Sequence, residues 1–382
     1  MKALPAIVSV LVLAACTTVP KTEVQSVLHD QLFRPPAVRI DANDAMAASE
    51  PMRRFLRDDA AIALRSKGPQ LGLFEALRAK NSLRLEYDAA MTRNAAEAFD
   101  ARSGNCLSLV LMAAALAKEL KLSVQFNSVA TEDVWSRSGE LYFFNRHVNI
   151  TLVKEFRLGD TTYAGNELFT VDFMPVEETL NQKARTIREH TVIAMYMSNR
   201  AAETLAEGKV DDAYWWAREA LRQDPNFISA YNTLGVIYNQ HGNLREAEAA
   251  LRQALAIEPG NALVLANLVH TLVAQGREAE ALALKQELQR VEPYPPFHFF
   301  RLGMDAMRKG DYLAAKRLFT REAERAPLNH ELHFQLALAH LRLGEATDAE
   351  RELALARESS STRHDRELYA AKLAKLRAYR TQ

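Results

Sequence analysis

The chain has 382 residues, 48% apolar and 25% charged, a balance ordinary for folded globular proteins and roomy enough for two or three domains. Its 48 basic residues equal its 48 acidic ones, so charge gives no footing for a nucleic-acid partner or for adhesion to an acidic surface. Two cysteines, no Gly-rich phosphate loop and no Gly-x-Ser-x-Gly elbow leave structural-zinc, nucleotide and serine-hydrolase chemistry without a carrier; no cofactor and no metal is expected.

Residues 1–15 read as a secretion signal, with Lys2 in the positive lead and Ile7 to Leu13 forming an apolar stretch too short to span a bilayer. It ends in Leu13-Ala14-Ala15-Cys16, which resembles the bacterial lipobox. That resemblance implies a diacylglyceryl group on Cys16, removal of the peptide before it and acylation of the new N-terminus. Two or more acyl chains anchor a protein stably where one does not. Thr17 stands where an Asp would signal inner-membrane retention, so the expected place is the cell envelope, at the outer membrane facing the periplasm. An ordinary signal peptide cleaved near Ala15, releasing a soluble periplasmic protein, is the alternative. Residues 16–36, with Pro20 and Pro35-Pro36 around a polar stretch, are expected as lipidated N-terminus and tether.

Residues 37–176 form the next expected unit. Met52 to Leu64, Leu71 to Leu83 and Tyr87 to Phe99 carry apolar residues at helical spacing. Arg102-Ser103-Gly104-Asn105-Cys106 reads as a turn that opens an apolar helix, Leu107 to Leu120, with Ser103 and Asn105 as capping types. A cysteine in the first turn of a helix faces the positive end of the helix dipole and unpaired N–H groups, which favour a thiolate and an oxyanion. With Cys16 assigned to lipid, Cys106 has no disulfide partner in an oxidising compartment. It is either a buried small hydrophobe or a working thiol.

Residues 141–153 alternate as a strand, with Val148, Ile150 and Leu152 on one face and His147, Asn149 and Thr151 on the other. Phe169 to Phe173 alternates likewise and presents Asp172 on its polar side. A thiolate, an imidazole and an orienting carboxylate make an acyl-transfer triad. Gly104-Asn105-Cys106, His147-Val148-Asn149 and Val171-Asp172-Phe173, in that order, resemble the core of the transglutaminase-like cysteine superfamily over about 75–176. The resemblance implies an α+β, papain-like fold with Cys106 as nucleophile, His147 as base and acid, and Asp172 as its orienter. Leu107 and Asn149 stand where many members carry aromatic residues, which bears on the substrate class. Asn149 and Asn105 are supporting candidates. Trp135, read in the loop between the Cys helix and the His strand, either lines the cleft or is a structural tryptophan.

Residues 187–382 repeat. Gly208, Gly242, Gly276, Gly310 and Gly344 recur every 34 residues, as do Ala213, Ala247, Ala281, Ala315 and Ala349, and Pro225, Pro259, Pro293 and Pro327. The glycine ends a first helix, the alanine lets two helices cross closely, and the proline stops the second helix. AYNTLGVIYNQHGNLREAEAALRQALAIEP, residues 230–259, resembles the tetratricopeptide repeat, which implies an all-α solenoid of five units holding a protein or peptide in its groove. The tail from 357 is expected as a capping helix. His330, His333 and His340 lack a companion ligand cluster and read as groove or surface residues; Trp215-Trp216 and Pro293 to Phe297 are accounted for by repeat packing.

The whole reads as a lipid-anchored envelope protein that acts on amide bonds of a protein or peptide, by hydrolysis or acyl transfer, with the repeats presenting the substrate. A non-catalytic repeat adaptor with a silent cysteine domain is the main alternative, and a papain-like cell-wall peptidase a third.

Overall fold

The computed structural model describes residues 21–78, 83, 85–89, 91–138, 141–154, 157–158, 161–162, 167–173, 184–294, 297–360 and 362–380. The signal segment and Cys16 lie outside them. Among the described residues no helix is long and apolar enough to cross a membrane.

Helix α1 (Lys21–Ser26) and a 3-10 turn at Asp30–Leu32 correct the tether expectation. From Val24 onward the segment is docked: Val24, Val27, Leu28 and Phe33 are buried. Phe33 stacks on Tyr214 with ring centroids 4.0 Å apart, and the Tyr238 hydroxyl donates to the Val27 carbonyl at 2.8 Å. These four apolar side chains, scattered among polar neighbours in the sequence, converge on one side and gain by leaving water.

The run Met52 to Leu64 is divided between α2 (Glu50–Arg57) and α3 (Ala61–Lys67), and α4 spans Pro69–Arg78. The expected helix over Tyr87 to Phe99 is also corrected. Glu86–Tyr87 is strand β1, and helix α5 covers only Ala95–Ala101. Asn94 and Glu97 form a reciprocal capping box, each accepting the other's backbone N–H at 2.9 Å, so the helix starts there. The backbone of 86–88 pairs instead with 102–104, around strand β2 (Ser103–Gly104).

Helix α6 (Cys106–Glu119) is apolar nearly all round, and every residue from Leu107 to Ala117 is buried. It packs on strands β3 (Ser123–Ser138) and β4 (Leu141–Lys154). After the small ribbon of β5 (Arg157–Leu158) and β6 (Thr161–Thr162) come β7 (Glu167–Val171) and β8 (Ala184–Ile187), completing an antiparallel sheet of order β7-β4-β3-β8. Val148, Ile150 and Leu152 join Phe126 and the α6 side chains in one core. Trp135 lies on β3 opposite Phe144 rather than in a loop; its side chain is outside the described residues.

Ten helices then pair: α7 (Glu189–Ala206) with α8 (Val210–Gln223), α9 (Ile228–His241) with α10 (Leu244–Ile257), and α11 (Ala262–Ala274) with α12 (Glu278–Val291). Next, α13 (His298–Lys309) pairs with α14 (Tyr312–Ala323) and α15 (His330–Arg342) with α16 (Ala346–Glu358), before α17 (Arg363–Arg380) packs on α16. The five recurring glycines have φ of 79, 88, 74, 78 and 79°, the left-handed conformation that only glycine adopts freely. The recurring alanines are all buried, and Pro225, Pro259 and Pro293 directly follow the helix-ending Asp224, Glu258 and Glu292. Helix α7 belongs to both halves: Val192, Ala194, Met197 and Ala201 share the core of α6.

Candidate functional site

Local constraints place Cys106 at the start of α6. Arg102, left-handed at φ 51°, ends α5 and turns the chain into β2. A Cβ on Gly104 would lie 2.6 Å from the Ser108 Cβ, so no side chain fits there. Asn105 caps α6, its Oδ1 accepting the Ser108 N–H at 2.9 Å and the Ser108 hydroxyl at 2.8 Å. Its Nδ2 donates to Thr92 Oγ1 at 2.9 Å, and Ser108 Oγ also accepts the Arg93 N–H at 2.8 Å. The Cys106 side chain is half-buried at this helix start.

The other side of the site comes from the sheet. Ile150 pairs with Val171, which puts Asp172 opposite Asn149 and diagonal to His147. His147 Nε2 is 2.8 and 2.9 Å from the two Asp172 carboxylate oxygens. A carboxylate only accepts, so Nε2 carries the proton. Asn149 Nδ2 donates to the same carboxylate at 2.9 Å, while its Oδ1 accepts from Asn127 Nδ2 at 3.0 Å. Asn127 donates to Thr151 Oγ1 as well, at 3.0 Å. Asp172 is thus oriented by a buried polar ladder running back into β3.

His147 is 3% exposed, and its Nδ1 is buried without a well-formed hydrogen bond. Burial pushes the imidazole pKa down; hydrogen bonding to Asp172 and to Cys106, and the charges of both, override this and lift it to about 9. Nε2 is taken by Asp172, which leaves Nδ1 as the ring nitrogen open to Cys106, a group near enough to raise the imidazole pKa. Such contacts commonly tighten only with substrate present.

The structure therefore brings Cys106, His147, Asp172 and Asn149 together, with Asn105 behind Cys106 as its cap. It also assembles residues that sequence reasoning passed over. Thr92 stood inside the apolar spacing read as a helix, although Thr-Arg-Asn before Glu97 is a capping signature. Asn127 gains meaning only from its register opposite Asn149.

His333 and His340 line a groove with Lys316, Thr320, Glu324, Arg351 and Glu352, as their place in the repeat predicts, and both are held by hydrogen bonds. Buried His333 bonds Glu352 at 2.8 Å and the Pro327 carbonyl at 2.7 Å, and buried His340 bonds Glu345 at 2.6 Å. His340, Glu345 and Asp348 converge, yet Lys316 already sits on Glu345 at 2.8 Å and Arg351 on Asp348 at 3.1 Å.

Models of the tetratricopeptide repeat match residues 216–249, 238–295 and 300–362. The C-terminal half carries tetratricopeptide repeats. A tetratricopeptide repeat-containing protein of Pseudomonas aeruginosa is 28% identical over 152 residues, 39% of this chain and 25% of that protein. Human tetratricopeptide repeat protein 7B is 31% identical over 127 residues, 32% of this chain and 15% of that protein. The chain spans a quarter or less of the length of these curated relatives. Among solved structures, Pseudomonas aeruginosa PilF is 22% identical with a TM-score of 0.30, covering 51% of this chain and 88% of its own. A Thermus thermophilus tetratricopeptide-repeat protein is 18% identical with a TM-score of 0.30, covering 48% and 98%. Tetratricopeptide repeats hold proteins or peptides, so a protein-interaction or scaffold role fits this half.

Proposed function

We propose that this is an envelope lipoprotein, anchored through Cys16, whose transglutaminase-like Cys106-His147-Asp172 site cleaves or transfers an acyl group from an amide of a protein or peptide held by the repeats. The observation that carries the reading is the His147 imidazole, fixed at Nε2 by Asp172 with Nδ1 left toward Cys106.

The Cys106 thiolate attacks the amide carbonyl carbon, forming a C–S bond as the carbonyl pair moves to oxygen. The Cys106 and Leu107 amides, at the helix start where no helical carbonyl reaches, are the donors for that oxyanion. His147 gives its Nδ1 proton to the nitrogen as the C–N bond breaks, and the amine leaves. Water, or a second amine, then loses a proton to His147 and attacks the thioester, releasing acid or new amide and restoring the thiolate. Asp172 holds the ring and stabilises the imidazolium throughout.

The test is the pH dependence of Cys106 alkylation in a form lacking residues 1–16, beside His147→Ala. The reading expects Cys106 to alkylate at pH 7 far faster than an ordinary cysteine in the parent, and to lose that advantage in the variant. Peptide amidase activity should disappear in Cys106→Ala while folding persists. A thiol that reacts no faster than an ordinary cysteine in both proteins would leave the adaptor reading, in which the repeats alone act and the cysteine is packing.

A further inference from the structure

We propose that Thr92 is a positioning residue for Cys106 and that α7, the first helix of the solenoid, sets it, so that the repeat half completes the thiol site. The proposal rests on the Cys106-His147 reading above.

Thr92 lies in the loop between β1 and α5 and is 1% exposed. Every polar group it owns is engaged, and the partners come from two places. From the thiol side, Asn105 Nδ2 donates to its Oγ1 at 2.9 Å. From α7, Asn199 Nδ2 reaches the same oxygen at 3.3 Å, and Arg200 Nη1 donates to its carbonyl at 3.3 Å. Its N–H donates to Glu203 Oε1 at 2.7 Å, while Arg200 pairs with Glu203 at 3.2 Å. Burial raises the Glu203 carboxyl, and hydrogen bonding from the Thr92 hydroxyl and N–H works against that rise. Three residues of one helical turn and a half therefore clamp a loop residue 107 to 111 positions earlier in the chain.

The consequence for the thiol runs through Asn105. Its Oδ1 is committed to the Ser108 N–H and hydroxyl, so its Nδ2 points at Thr92 and needs that oxygen. Removing the acceptor leaves a half-buried donor unpaired, the costly half of a broken hydrogen bond. The cap then turns, and Cys106, the next residue, turns with it. Small displacements of a reacting atom lower rate steeply. Arg93, bonded through its N–H to Ser108 and through its guanidinium to Asp88 at 3.3 Å, holds the neighbouring loop residue and leaves Thr92 as the joint between halves.

The experiment follows Cys106 alkylation against pH in the chain lacking residues 1–16, for the parent, Thr92→Val, Thr92→Ser and Asn199→Ala. Val keeps the shape of Thr and removes the oxygen; Ser keeps the oxygen. We expect Thr92→Val to slow alkylation at pH 7 about tenfold, Thr92→Ser to restore the rate, and Asn199→Ala to slow it a few-fold from within the solenoid. A purely structural Thr92 would lower the melting temperature and leave the thiol profile of Thr92→Val unchanged. That result, or an unaltered profile in Asn199→Ala should Thr92→Val not fold, overturns the proposal while the poised parent thiol keeps the catalytic reading. A parent thiol that behaves as free cysteine, insensitive to His147→Ala, removes the reading and the positioning role together.

Discussion

His147 is a buried base whose environment pulls in two directions. Burial alone disfavours the imidazolium; Asp172 and Cys106 outweigh it and raise the pKa to about 9. Asp172→Asn should therefore lower the value from about 9, because the burial remains when the carboxylate is gone and only Cys106 is left to oppose it. The ring-proton NMR titration of His147 reads this directly, and an unchanged midpoint would mean that Cys106 dominates instead. The same shift makes a stability statement. A folded-state pKa above the unfolded one stabilises fully below about pH 6.5 and loses that contribution as pH rises through about 9, on the order of 3 kcal/mol here. Urea unfolding of the parent should weaken across that window, and Asp172→Asn should flatten the slope.

The segment 24–37 behaves as a strap, though its composition reads as linker. Asp211 accepts the Arg34 N–H at 3.0 Å, Asp212 accepts the Ala37 N–H at 2.7 Å, and Trp215 Nε1 donates to the Arg34 carbonyl at 2.6 Å. Tyr214 donates to Asp30 at 2.7 Å, and Arg218 pairs with Asp30 at 2.9 Å. Phe33 sits among Tyr214, Tyr238 and His241. Phe33→Ala should cost about 3 kcal/mol, the low end for truncating a buried phenylalanine, because the strap can detach rather than hold a cavity open. Hydrogen exchange should then speed up over 27–37 while α10 and α16 stay protected. Protection retained in the strap would show that its polar contacts suffice.

Across the whole molecule, most of the buried apolar side chains of the described residues fall into three clusters. The largest joins the strap, α6, the sheet and the first three helical pairs; the others lie in the last two pairs and α17. At the junction α12 buries only Ala281, while Leu282 and Val291 are 59% and 45% exposed. Repeat arrays hold together through neighbour interfaces, so a thin interface divides cooperativity. Calorimetry should resolve two transitions, and Phe319→Ala, at the heart of the second cluster, should lower only one of them. A single transition that moves as a unit would show the junction to be tighter than its burial implies.

The solenoid was legible because its information is local. Glycine, alanine and proline at a 34-residue period each answer a need met within one helical pair, and the pairs repeat. The Cys106 helix and the alternating strands were readable for the same reason: a cap and a period of two are properties of a few consecutive residues. Tyr87 to Phe99 misled because apolar spacing says nothing of a backbone pairing with 102–104. The strap was hidden because Phe33 needs Tyr214 to declare itself, and Thr92 because its partners lie on α7. Repeat architecture, helix starts and strand faces are thus decided by neighbouring residues and stand in the sequence. The hold of Asp172 on His147, the docking of the strap and the tie between Thr92 and α7 join residues far apart in the chain, and tertiary structure alone decides them, because their bonds form only once the core has closed the distance.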